Sequence, residues 1–133
     1  MTQPLWTQRD AAQIIRDGLR SHSDKPNLIL SQVPQGWTPD DDPVVTVISD
    51  GTPVSTRGWN KEVIRVTVHA RDIPTSRKLM SAIDALLLTP MAFSTLVQTS
   101  PSTGIIAIND SKIGGGLSSA TYNISTSKLI SKI

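Results

Sequence analysis

Two histidines, no cysteines and a few clustered charges are what this 133-residue chain offers to side-chain chemistry. Without cysteine there is no thiol nucleophile, no disulfide and no thiolate metal site. His69 stands between Arg65 and Arg71 in an alternating run, so the three share the polar side of a strand. A catalytic histidine needs an orienting acid and a nucleophile, and no nucleophile motif accompanies it. A surface histidine on a sheet is the better reading. His22, in Ser21-His22-Ser23, reads as the last residue of a helix, where the dipole favours a cation. Asp40-Asp41-Asp42 could meet a hard cation. Calcium loops, however, place ligands at alternate positions and add a distant glutamate, so a solvated acidic loop is expected. Gly114-Gly115-Gly116 lacks the Lys-Ser/Thr and the helix start of a phosphate loop, and reads as a hairpin turn. A transition-metal site would have to lean on carboxylates. No catalytic residue, metal or cofactor is expected, and the chain reads as a non-enzyme.

The remaining candidates act by contact. Aromatic residues make up only 4% of the chain, and Trp6, Trp37 and Trp59 all fall outside the regular stretches. The core must therefore be aliphatic, and the tryptophans become anchors for loops or partners. Trp37 sits among Pro, Gln and Gly, and Trp59 follows Arg57-Gly58. Tryptophan and arginine are the residues most enriched in interface hot spots. Folding back over a core edge is the competing role. The candidate interface set is Trp37, Arg57, Trp59, Arg65, His69 and Arg71.

The element that must position these residues is Glu62 to Pro90. Ile64, Val66, Val68 and Ala70 alternate with Arg65, Thr67, His69 and Arg71, the period of a half-buried strand. From Leu79 the apolar residues fall at Leu79, Met80, Ile83, Leu86 and Leu87, the stripe of an amphipathic helix. Asp72 or Thr75 can cap that helix, Pro74 fits its first turn, and Thr89-Pro90 ends it. An earlier helix begins at Thr7, with Thr7 and Asp10 resembling a capping box and Ala11, Ile14, Ile15 and Leu19 on its apolar face. Residues 1–6 read as a flexible tail. Residues 27–33 allow a short strand that Pro26 and Pro34 confine to an edge. Residues 34–42 read as a loop. Val44 to Ser49 reads as a strand buried on both faces, hence central. Residues 50–61 read as a long excursion before an antiparallel return. Further strands are expected at Thr95–Thr99 and Gly104–Asp110, separated by a turn at Pro101–Gly104. A last, Ser/Thr-rich alternating run begins at Ser118. The order of elements predicts an α+β fold, a mostly antiparallel sheet with two main helices on one face, in a single domain over 1–133.

Thirteen basic and 11 acidic residues leave a net charge of +2, too balanced for a nucleic-acid-binding stripe. No apolar run approaches membrane-spanning length and no leader pattern opens the chain, so neither membrane nor secretion is expected.

Five segments together resemble the tail terminator proteins of long-tailed bacteriophages, those of siphophages infecting actinobacteria above all. They are Pro43-Val-Val-Thr-Val-Ile-Ser-Asp-Gly51, Thr56-Arg-Gly58, Val63-Ile-Arg-Val-Thr-Val-His-Ala-Arg-Asp72, Pro74-Thr-Ser-Arg-Lys-Leu79 and Ile83-Asp-Ala-Leu-Leu-Leu-Thr-Pro90. The resemblance runs from about Asp10 to the end of the chain and rests on diffuse patterns. It implies a small α+β subunit that forms a hexameric ring with copies of itself. The ring would cap the finished tail tube, end tube polymerisation and present a joining surface to the head side. The implied partners are the major tail tube protein and a head-side connector or stopper, with DNA crossing the lumen without specific binding. The implied locations are the virion tail or neck, and the host cytoplasm during assembly. A head–tail connector or stopper is the alternative, and a small ligand-binding α+β domain a more distant one.

Overall fold

A computed structural model describes residues 3–90 and 97–131. In chain order the elements are β1 (Leu5–Thr7), α1 (Ala11–Ser21), a 3₁₀ turn (Pro26–Leu28), β2 (Ile29–Leu30), β3 (Val44–Ser55) and β4 (Trp59–Ala70). Then follow α2 (Ile73–Leu87), β5 (Val97–Asn109), β6 (Gly116–Ser127) and β7 (Leu129–Ser131). The main sheet has five strands in the order β2-β3-β4-β6-β5, and β1 with β7 forms a separate two-stranded ribbon. All pairings are antiparallel except the short β2–β3 pair. The fold is α+β.

Strand parity decides which side is covered. Val45 and Val47, Ile64, Val66 and Val68, and Ala120, Tyr122 and Ile124 are cross-strand partners or lie two apart, and all are buried. Onto them α1 lays Ala11, Ala12, Ile15 and Leu19, and α2 lays Met80, Ile83 and Leu87. Both helices thus cover one face. Each fully buried Val, Leu, Ile or Met side chain contributes about 1.5–3 kcal/mol. The one large ring in this core, Tyr122, also carries a polar tie: its hydroxyl donates to Asp84 Oδ1 on α2 at 2.6 Å. Burial first, and the Asp84 carboxylate next, push the Tyr122 phenol far above its ordinary range. Ser76 of α2 and Ser118 of β6 make a second buried contact, 2.8 Å between hydroxyls. Arg16 and Arg20 hold α1 over the sheet edge, donating to Val47 O at 2.7 Å and to Ile29 O at 2.7 and 3.1 Å.

The helix caps follow the side-chain chemistry. Asp72 accepts from Thr75 N at 2.8 Å. Asp10 accepts from Gln13 N at 3.0 Å, so α1 begins at Ala11 and not at Thr7. Thr7 belongs to β1. That strand also corrects the later part of the tail expected at 1–6, because Leu5 and Trp6 pair with Ser131 and Ile130, while residues 1–2 lie outside the described residues.

The excursion expected at 50–61 is instead a long hairpin. β3 continues to Ser55 and β4 starts at Trp59, leaving only 56–58 as connection. The Asp50-Gly51 signal is real but marks an irregularity inside the strand: Gly51 has φ +120° and the register shifts on either side of it. A left-handed glycine in a strand gives a bulge as readily as a turn. The actual turn is closed by Thr56, whose N–H and hydroxyl donate to Trp59 O at 2.8 and 2.9 Å. Likewise Pro101–Gly104 makes no turn; β5 runs through it with register shifts between Pro101, Thr103 and Ile106. An edge strand tolerates proline where an inner one does not. The short strand expected at Thr95–Thr99 begins in part outside the described residues and is the start of β5 from Val97.

Candidate functional site

The helix-free face of the sheet carries most of the candidate residues, and strand register arranges them in three rungs. One rung is Val44, His69, Leu117 and Ile108; the next is Thr46, Thr67, Ser119 and Ile106; the third is Ile48, Arg65, Thr121 and Thr103. The middle rung is tied by Thr67 and Ser119 hydroxyls 3.0 Å apart, the third by Thr103 and Thr121 hydroxyls at 2.6 Å. Arg65 pairs with Asp50 Oδ2 at 2.9 Å, a partner supplied by the next strand. Along the rim of this face Ile106 and Ile108 are 60% and 51% exposed, and Ile48 is exposed at the opposite side. Between the exposed isoleucines this face carries tied hydroxyls and the Arg65–Asp50 ion pair.

At one end of the face the loop between β2 and β3 folds over His69. The Trp37 ring meets the imidazole edge-on with centroids 6.2 Å apart, and the indole N–H donates to Asp42 O at 2.9 Å. Asp110 is the acid nearest the imidazole, with Oδ2 3.9 Å from His69 Nδ1. That gap exceeds a hydrogen bond, and Nδ1 has no hydrogen-bond partner among the described residues. Burial lowers the His69 pKa more than Asp110 raises it, so the ring is neutral at pH 7 and the contact is not an ion pair there. Asp110 is held below the usual carboxylate range by the Ile113 and Lys112 N–H groups first, and by His69 after them. These N–H donors belong to the turn containing Gly114–Gly116. The turn abuts the β4–α2 junction so closely that a Cβ on Gly115 would lie 2.2 Å from Ala70 O. The sequence pattern identified the turn but not Asp110, whose role depends on a long-range pairing.

The other candidates separate. Arg71 leaves the end of β4 exposed, 3.5 Å from Asp72. Arg57 lies in the hairpin turn, and Trp59, 44% exposed, opens β4 at the far end of the sheet. Trp37, His69 and Arg71 therefore gather at one end, Arg57 and Trp59 at the other, and Arg65 lies between. The acidic triplet does not converge either: Asp41 accepts from Thr38 N at 2.8 Å, while Asp42 reaches Lys25 at 3.2 Å. Among the described residues no three acidic or histidine side chains are grouped to hold a metal ion, and no helix is long and apolar enough to cross a membrane.

The chain matches none of the protein-family models and none of the curated proteins compared with it.

Proposed function

We propose that this chain is a ring-forming tail terminator subunit of a long-tailed bacteriophage. It caps the completed tail tube, stops further tube subunits from adding and offers the surface to which the head side joins. Its partners on this reading are copies of itself in a hexameric ring, the major tail tube protein and a head-side connector or stopper. Its places are the virion neck and the host cytoplasm during assembly.

The observation that supports this best is the helix-free sheet face, with three rungs of residues and bare isoleucines at its rims, covered at its His69 end by the β2–β3 loop. A surface of that kind suits another protein better than a small ligand, which calls for a concave site with converging polar groups. The segments carrying the resemblance fall on β3, the hairpin turn, β4 and α2, the scaffold bearing that face. A net charge of +2 accords with a lumen that lets DNA pass without gripping it.

Deleting the gene from its phage tests the reading. Tails of uncontrolled length, restored to one length by the supplied protein, are expected, and the purified chain should bind the ends of isolated tubes. Tails of normal length that fail to join filled heads would point to a connector instead.

A further inference from the structure

Edge strands expose a row of unpaired N–H and C=O groups, and proteins usually blunt them with charges, prolines or bulges. The main sheet treats its two edges differently. On the β3 side, β2 pairs with Val45 and Thr46, and the Arg16 guanidinium donates to Val47 O. Further along that edge come the irregularity at Gly51, then Pro53, and Gln8 bonded to the side chains of Thr52 and Ser55. On the other side stands β5, beyond which no strand lies among the described residues. None of its 13 residues is charged, and both register shifts and Pro101 precede Ile106. From Ile106 to Asn109 the strand is regular and neutral, with Ile106 and Ile108 exposed on the helix-free face. The hydrogen bonding shows which backbone groups of this segment remain. Asp110 N–H donates to Gly115 O at 3.0 Å, next to the paired Asn109 and Gly116. In an antiparallel ladder the N–H and C=O of a residue share one side, and successive residues alternate. Asp110, Ile108 and Ile106 therefore spend their backbone groups on β6. Those of Asn109 and Ala107 point outward.

We propose that the free chain pairs with a second copy of itself through β5, antiparallel about a two-fold axis at Ala107. Each Ala107 N–H then meets the carbonyl of the other Ala107, and Asn109 stands opposite Ile105. Ile106 of each copy faces Ile108 of the other in a non-hydrogen-bonded pair, where Cα atoms come within about 4.5 Å and side chains are closest. Asp110 falls opposite Gly104 and Lys112 opposite Ser102, so no like charges meet across the strands. Pro101 lies beyond the end of the partner strand. The occupant is a second copy because this row is its own complement: one two-fold matches every outward donor to an outward acceptor and isoleucine to isoleucine. Among the described residues each chain has one such edge, the β3 edge being blunted, so the contact is isologous and closes at two copies. A contact this short belongs to the small, transient class, below about 1,200 Å². A six-membered ring needs a heterologous contact. The β5 pairing therefore describes the free chain and does not rest on the tail reading.

The chain has no cysteine, so Ile106→Cys and Ile108→Cys each place a single thiol, both at exposed positions. In the proposed register the two thiols of a mixed pair are directly opposed. Like residues lie on a diagonal about 7–8 Å apart, too far for a disulfide. Mixing the two variants under mild oxidation should therefore give the mixed adduct, favoured about tenfold or more over either like-with-like adduct. Equal yields of the three adducts, or none, would overturn the pairing. Sedimentation of the wild-type chain at rising concentration should show monomer and dimer with no larger species. A chain that stays monomeric throughout would leave the edge to a strand of another protein, and a ladder of multimers would contradict the two-fold; either result overturns the pairing. Ala107→Pro removes an outward N–H and no bond to β6, so Tm should stay within about 3 °C of wild type. The same variant should weaken dimerisation about tenfold or more. Undiminished dimerisation of A107P would also overturn the pairing, and the cysteine adducts decide the register even where A107P folds poorly.

Discussion

Replacing Tyr122 by phenylalanine isolates one polar tie between α2 and the sheet. The ring keeps its place in the core, and only the hydroxyl that donates to Asp84 Oδ1 at 2.6 Å is lost. A hydrogen bond to a charged group contributes about 1.5–3 kcal/mol. Asp84 is half-buried, so water can replace part of the lost donor, and the low end of that range applies. The expected loss is about 1.5 kcal/mol, or about 5 °C in Tm for a chain of this size. Urea unfolding followed by circular dichroism measures it, and Asp84→Asn, which keeps an acceptor but removes the charge, should cost about half as much. The alkaline side gives a second readout. The Tyr122 phenol is raised in the folded state. Its contribution is therefore complete below the unfolded value near pH 10 and is lost as pH rises above it, by up to about 1.4 kcal/mol per pH unit. Tyr122→Phe should remove that slope. A variant within about 0.3 kcal/mol of the wild type, with the alkaline slope intact, would refute the reasoning.

Three further outcomes follow from the site. The His69 pKa is lowered on folding, so its contribution is complete above about pH 6.5 and is lost as pH falls through the lower folded value; His69→Leu should flatten the Tm between about pH 7 and pH 5, and an unchanged slope would mean that another group titrates there. Gly115→Ala, whose Cβ would lie 2.2 Å from Ala70 O, should cost at least about 2 kcal/mol in urea unfolding, whereas Gly114→Ala, 3.4 Å from a proline side-chain atom, should cost about 1 kcal/mol; equal losses would show that the close approach is not what matters. Trp59→Ala should shift Tm by no more than about 2 °C, because nearly half of the residue is exposed, and should weaken subunit or tube contacts in sedimentation; a large drop in Tm would make Trp59 a core residue.

Local periodicity made β4, α2 and their junction legible, since parity and a 3.6-residue stripe each specify a face without knowledge of the partner. The same holds for the buried run Val44–Val47. What could not be read was how far strands extend through irregular composition. Gly51 and the Pro101–Gly104 segment carry turn residues, yet both are absorbed as register shifts, because their neighbours still find cross-strand partners. The β1–β7 pairing joins residues more than 120 apart, and no local pattern signals it. Asp50 as the partner of Arg65, and Asp110 as the acid facing His69, were invisible for the same reason. Their positions follow from register, and register follows from the whole sheet.

The six candidate residues are spread along the length of the sheet. Trp59 and His69 are ten residues apart on one strand, roughly 30 Å. A reaction or a small-molecule site needs its groups within a few ångströms of one reacting atom. A protein interface instead spreads over tens of ångströms, with a few aromatic and arginine anchors among near-neutral contacts. Trp37 is partly committed to His69 and the backbone of Asp42, and Arg65 to Asp50, so these residues chiefly hold the helix-free face in shape. Trp59 and Arg57, exposed at the opposite end beside the ribbon, remain available to a neighbour. On the proposed reading, contact energy should concentrate at the hairpin end, beside the rungs of the sheet.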